Sequence, residues 1–173
     1  MILDERTELV DSNDPVMEPI VGPGGARLTV TASATTQIGD ILPLSVARDL
    51  GTGKPLWLVV IAATDITVGA TTSTLTFNLI TGSASSGSPP TITSPVIIDS
   101  SLALPVAVSG STTLTAGKVL WLVPIPPETL NAYNTLLGLS HTNGGVALSA
   151  GCKIDAFITS DIGRWKAVAD ATN

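Results

Sequence analysis

Apolar positions along this chain come in short runs, cut by glycine, proline and serine. Arg27–Ser33 alternates, with Leu28, Val30 and Ala32 on one face. Ile41–Ala47 is a second run, and Pro43 within it points to an edge or an irregular entry. Pro55–Ala63 is continuously apolar, and Ser73–Ile80 alternates again with Leu75, Phe77 and Leu79 facing one way. Ile92–Ile98, Leu102–Val108, Lys118–Ile125, Ala132–Ser140 and Val146–Leu148 continue the series. Cys152–Thr159 closes it, with Ile154, Ala156 and Ile158 opposed to Lys153, Asp155 and Phe157. Gly82–Pro90 is rich in turn residues and reads as a loop, and Pro127–Asn134 has room for a single helical turn.

Short strands at this spacing, with abundant β-branched residues and no long amphipathic helix between them, predict an all-β β-sandwich or jelly roll. A parallel sheet alternating with helices is disfavoured. One internal echo stands out. Lys54–Ala62 matches Lys118–Pro126 at six of nine positions, including both tryptophans. The echo reads as two central strands solving one packing problem, with an ancient duplication as the alternative. Trp57 and Trp121 should each point away from their flanking leucines, making these strands apolar on both faces. In a sandwich the outward apolar face then needs a loop, a tail or a neighbouring subunit over it.

Composition sharpens the picture. Charged residues are only 13% of the 173, against 44% hydrophobic, while Thr, Ser and Gly number 23, 16 and 16. Disorder is excluded by so much apolar content, and binding of nucleic acid through a basic face by 8 Lys+Arg against 14 Asp+Glu. A single cysteine, Cys152, rules out a disulfide scaffold, and no apolar run is long enough for a membrane helix. The opening residues do not read as a secretory signal, so synthesis in a reducing cytosol is expected. The charge is local: residues 1–20 carry six acidic side chains and one arginine, a net −5 of the total −6. Three segments follow: an acidic N-terminal arm over 1–26, a sandwich domain over 27–160 and a short C-terminal tail over 161–173. A surface with so little charge is suited to meeting other protein.

Candidate chemistry is sparse. His141 is the only histidine and sits where a strand enters a turn. A nucleophilic site would have to use it with Cys152 or a serine, and there is no G-x-S-x-G elbow. One histidine and one cysteine do not make a zinc site, and the acidic arm lacks a calcium-loop pattern, so no metal or other cofactor is expected. Gly51-Thr52-Gly53-Lys54 has the wrong spacing for a phosphate loop and is followed by Pro55, so it reads as a turn into a strand. Sugar-binding sandwiches present aromatic platforms, and this chain has six aromatic residues, most of them on apolar strands. Trp165, on the polar tail, either tucks back or anchors a partner.

Several segments resemble the small cement, or capsid-decoration, proteins of tailed bacteriophages. The opening Met1-Ile2-Leu3-Asp4-Glu5 is one. Ala47-Arg48-Asp49-Leu50-Gly51-Thr52-Gly53-Lys54-Pro55-Leu56-Trp57 is the most specific, resembling a turn of the type (A/R)-D-(I/L)-G-x-G-x-P-L that leads into an apolar strand. Thr74–Leu79, Leu122-Val123-Pro124-Ile125-Pro126-Pro127 and Gly151–Phe157 follow in the family's order. Asn131-Ala132-Tyr133 stands where the family pattern has an arginine before an aromatic residue, which puts any salt bridge there in doubt. The resemblance covers roughly residues 1–160. It implies a jelly-roll β-sandwich with no enzymatic activity, cofactor or small-molecule substrate. It further implies a homotrimer at three-fold positions on the outer surface of a phage head, bound across major capsid protein subunits. Neither nucleic acid nor membrane is a partner in this reading. Candidate contacts are Ile2 and Leu3 in the arm, Trp57 and Trp121 on a covered strand face unless both are simply core, and Trp165 in the tail. The alternatives are a surface-adhesion or carbohydrate-binding sandwich, which needs exposed aromatics on one face, and a hydrolase built on His141.

Overall fold

The alternating runs become antiparallel strands in a computed structural model, which describes residues 8–10, 35–43, 55–69, 71–86, 91–108, 114–125, 136–149 and 151–160. The strands are β1 Glu8–Val10, β2 Thr35–Pro43, β3 Leu56–Ala62, β4 Ser73–Ala84, β5 Ile92–Ser100, β6 Leu104–Val106, β7 Val119–Ile125, β8 Leu136–Asn143 and β9 Ile154–Thr159. Among the described residues there is no helix. The first sheet runs β1-β9-β3-β7 and the second β2-β8-β4-β5, with β6 also pairing with β4. The two sheets pack face to face as an all-β sandwich.

The pairing is nested. β4 pairs with β5, β3 with β7, β2 with β8 and β1 with β9, all antiparallel. With β6 set aside, this is the strand order of an eight-stranded jelly roll. The two copies of the internal echo lie side by side as β3 and β7.

Inward residues fill one core. β3 supplies Leu56, Leu58, Val60 and Ala62; β4 supplies Leu75, Phe77 and Leu79; β9 supplies Ile154, Ala156 and Ile158. These are the alternations that the sequence displays. Burying each larger side chain stabilises the fold by roughly 1.5–3 kcal/mol, against the backbone entropy lost on ordering the strands.

A second, smaller cluster of Ile41, Ile80, Ile92 and Leu136 lies outside this core, on the far face of the second sheet. Ile92 packs on two glycines: a Cβ at Gly82 would lie 2.5 Å from its Cγ2, and one at Gly138 2.8 Å from its Cδ1. The Gln37 side chain holds the same residue, its Nε2 donating to the Ile92 carbonyl at 2.7 Å and its Oε1 accepting from the Ile92 N–H at 3.1 Å. The start of β5 is thus clamped to β2.

Several expectations are corrected. Gly82, Ser83 and Ala84 are not loop but the end of β4, paired with Leu136, Thr93 and Ile92. The second run begins earlier than Ile41, at Thr35, because Thr36 and Ile38 pair with His141 and Leu139. The strand expected over Ala132–Ser140 is described from Leu136 and runs on to Asn143. Among the described strands β7 ends its sheet rather than lying at its centre. The strand expected at Arg27–Ser33, the turn at 49–53 and the helical turn at 127–134 lie outside the described residues.

Within the arm, Glu8–Val10 forms β1, and Leu9 and Val10 are buried. Gly39, at φ +70, makes room for it: a Cβ there would collide with the Leu9 carbonyl oxygen and Val10 Cγ2. Gly117, at φ +80, has open space around it. Gly39→Ala should therefore carry both backbone strain and a steric clash, lowering unfolding free energy by about 3 kcal/mol, against about 1 kcal/mol for Gly117→Ala. Urea denaturation of the two variants measures this, and equal losses would show that β1 does not press on Gly39.

Candidate functional site

The two outer faces of the sandwich differ in chemistry. On the second sheet, one outward row is polar and bonded across four strands. Thr35 Oγ1 and Thr142 Oγ1 lie 2.8 Å apart, Asn78 Nδ2 donates to Ser140 Oγ and Thr142 Oγ1 at 3.4 Å each, and Ser100 Oγ donates to Asn78 Oδ1 at 2.8 Å. Asn78 and Ser140 at its centre are buried and Thr35 and Ser100 at its ends exposed, so the row pairs its buried polar groups with one another.

The first sheet is different. Register places Trp57 opposite Pro124, Val59 opposite Leu122 and Ile61 opposite Val119, all pointing away from the core residues Leu58 and Val60. β9 adds Phe157 beside Val59. This outer face is apolar: Val59 and Phe157 are buried, Trp57 and Ile61 half-buried, and Leu122 and Val119 exposed at 42% and 38%.

The exposed part continues around one flank. β1 and β2, the first edges of the two sheets, are in contact, which puts the opposite edges, β7 and β5, on the same side of the sandwich. β5 exposes Val96 and Ile97, and Leu102 just beyond it is 86% exposed. Two strands that end their sheets among the described residues and expose aliphatic side chains form the candidate interaction surface. Pro124 stands on the edge strand β7, where a missing N–H costs no interior ladder bond.

The candidate contacts fall in different places. Trp57 lies on the apolar outer face, as its alternation with Leu56 and Leu58 predicts. Trp121 is paired with Val60 and packs half-buried against the core. The expected alternation with both leucines fails there because Leu120 is an extra residue in the ladder between Trp121 and Val119. That bulge turns Leu120 inward as well, and leaves Leu122 to face out. Ile2, Leu3 and Trp165 lie outside the described residues. Sequence reasoning missed Val96, Ile97, Leu102, Val119 and Leu122, because apolar residues in a β run carry no mark of an edge strand.

The residues considered for chemistry are inside. His141 is in β8, opposite Phe77 and Thr36 on the core side, and is 1% exposed. Loss of hydration on burial lowers its pKa from 6.5 to about 4. Cys152 is buried too, its Sγ donating weakly to the Thr67 carbonyl at 3.8 Å. Buried hydroxyls close on near neighbours: Ser73 Oγ donates to Asn143 Oδ1 and accepts from the Val146 N–H, both at 3.2 Å. Among the described residues no group of three or more histidine, cysteine or carboxylate side chains is placed to hold a metal. The large apolar side chains exposed among the described residues are aliphatic, not the aromatic platform a sugar-binding face needs.

No protein-family model matches the chain, and no curated protein matches it.

Burial of His141 gives stability a pH dependence with a definite sign. The folded pKa lies below the unfolded value, so between about pH 6.5 and 4 the unfolded chain takes up a proton that the native one refuses. The contribution is intact above the unfolded pKa and is lost as pH falls through this window, by about 3 kcal/mol in all. Urea melts at pH 7 and 4.5 should show His141→Gln losing about 2–3 kcal/mol less than the parent; identical losses would place His141 in water.

Proposed function

We propose that the chain is a structural virion protein, a cement or decoration protein that stabilises a bacteriophage head. In this reading it is made in the bacterial host cytoplasm and sits as a homotrimer at three-fold positions on the outer surface of the capsid, across major capsid protein subunits. The observation that carries the reading is the apolar flank. β7 and β5 present Val119, Leu122, Val96 and Ile97 to the outside, while the second sheet carries a bonded polar row. Exposed aliphatic side chains along two sheet edges gain by being covered with protein.

Three features support it further. The jelly-roll strand order is an architecture that capsid proteins share, though lectins and cupins share it too. The sequence of 47–57 resembles the decoration-protein pattern, and its last two residues, Leu56 and Trp57, open β3, where the outward Trp57 belongs to the apolar face. The low charge of the chain beyond residue 20 suits burial between subunits. Retention on the head follows from number, because three joined copies convert weak individual contacts into strong attachment. No catalytic residue, cofactor or metal enters this mechanism.

Light scattering after size exclusion is expected to give three times 17.6 kDa, unchanged on dilution. Leu122→Asp puts a carboxylate at an already exposed position, so it should leave the monomer's fold intact within about 0.5 kcal/mol while reducing the mass to that of one chain. Mass spectrometry of virions made from the genome that encodes the chain should find it in multiples of three per head. A monomer at all concentrations, or absence from the virion, would overturn the proposal.

A further inference from the structure

The nested pairing singles out β1. It is three residues long, yet Leu9 and Val10 are 1% and 2% exposed, so it fills a slot rather than lying on a surface. The slot is built by β9, which pairs with it, and by β2, where Gly39 leaves space for the Leu9 carbonyl. β1 is also the outermost rung. Removing it breaks no pairing among the other strands, because β9 keeps its ladder with β3 through Trp57, Leu58, Val59, Val60, Ile61 and Ala62.

The tether is long. Residues 11–34 place 24 residues between Val10 and Thr35. Fully extended, that length spans about 80 Å, whereas a domain of this size has a radius of gyration of roughly 16 Å. The chain therefore has the reach to seat residues 8–10 either in its own slot or in that of a neighbour. The contacts made in the slot are the same in both cases, so the choice is set by local concentration. In a closed trimer a neighbour's slot is held permanently within reach.

We propose that β1 is exchanged: the slot between β9 and β2 takes Glu8–Val10 of a second copy, so that each subunit of the trimer is completed by its neighbour. This rests on the trimeric reading given above. Exchange ties subunits together through buried main-chain pairing and two buried side chains, without adding any contact to those the structure shows.

The register supplies the test. Val10 pairs with Ala156 and Glu8 with Phe157. In a Cys152→Ala background, Val10→Cys with Ala156→Cys places two thiols across the β1–β9 ladder, at a separation suited to a disulfide. Glu8→Cys with Phe157→Cys is the second pair, for use if the first does not fold. After oxidation, non-reducing electrophoresis is expected to show covalent dimers and trimers. Co-expressed single-cysteine chains, one tagged with Val10→Cys and one with Ala156→Cys, are expected to link to each other. Disulfides confined to single chains in a protein that still scatters as a trimer would overturn the exchange and leave the trimer standing. The same result in a monomer would overturn both. Folded protein that forms no disulfide at either pair would overturn the slot itself.

Discussion

Everything in this fold depends on nested antiparallel pairing. β4 and β5 make the innermost pair, and each further rung is made by strands ever more distant in sequence, ending with Glu8 against Phe157. Rolled into two layers, such a strip has to bury one face completely, which sets the alternation in β3, β4 and β9. It also leaves free edges. At one side β1 meets β2 and the sandwich is closed, with Gly39 clearing the contact. At the other, β7 and β5 end their sheets among the described residues. The closed side and the open side are thus consequences of one pattern of pairing.

The open side is where chemistry and architecture agree. An edge strand invites pairing with another chain, and proteins that stay single blunt such edges with charge, proline or bulges. β7 has the bulge at Leu120 and the proline at 124, yet beside them it exposes Val119 and Leu122. β5 carries Pro95, and Ser94 before it stands at φ +48, a strained conformation for a serine, while Val96 and Ile97 are left outside. These devices discourage indefinite strand addition without making the flank hydrophilic. That combination suits a surface covered by a defined number of partners. A proposal of this kind needs no active site, and the buried positions of His141 and Cys152 are consistent with both side chains serving as packing.

The sequence made the core strands legible because alternation is a local property. Leu75, Phe77 and Leu79, or Ile154, Ala156 and Ile158, reveal their shared face without knowledge of any partner. Features decided by distant residues were not legible. Gly82–Ala84 has the composition of a loop and becomes strand only because Leu136 and Ile92 lie alongside. Gly39 and Asp40 hide β2, since the register slips between Ile38 and Leu42 and the alternation breaks. The two tryptophans of the internal echo read alike, yet one faces outward and the other the core, because a single inserted residue shifts the ladder. Edge position, which defines the candidate surface, leaves no trace in an apolar run at all.

The same nesting dictates an order of events during synthesis. Glu8 leaves the ribosome 149 positions ahead of Phe157, an interval of roughly 7–30 s at ordinary elongation rates. Until then β1 has no partner, and β3, apolar on both faces, waits first for β7 and then for β9. The hairpin of β4 and β5 can form as it emerges, and later strands then add in the order in which they are translated: β7 to β3, β8 to β2 and β9 to β1. The nascent chain is therefore zipped from its middle outward, and its N-terminal portion is the last to be secured. A host that translates this gene quickly leaves the naked β3 segment without cover for less time, and so shortens the interval in which its apolar faces can meet another chain.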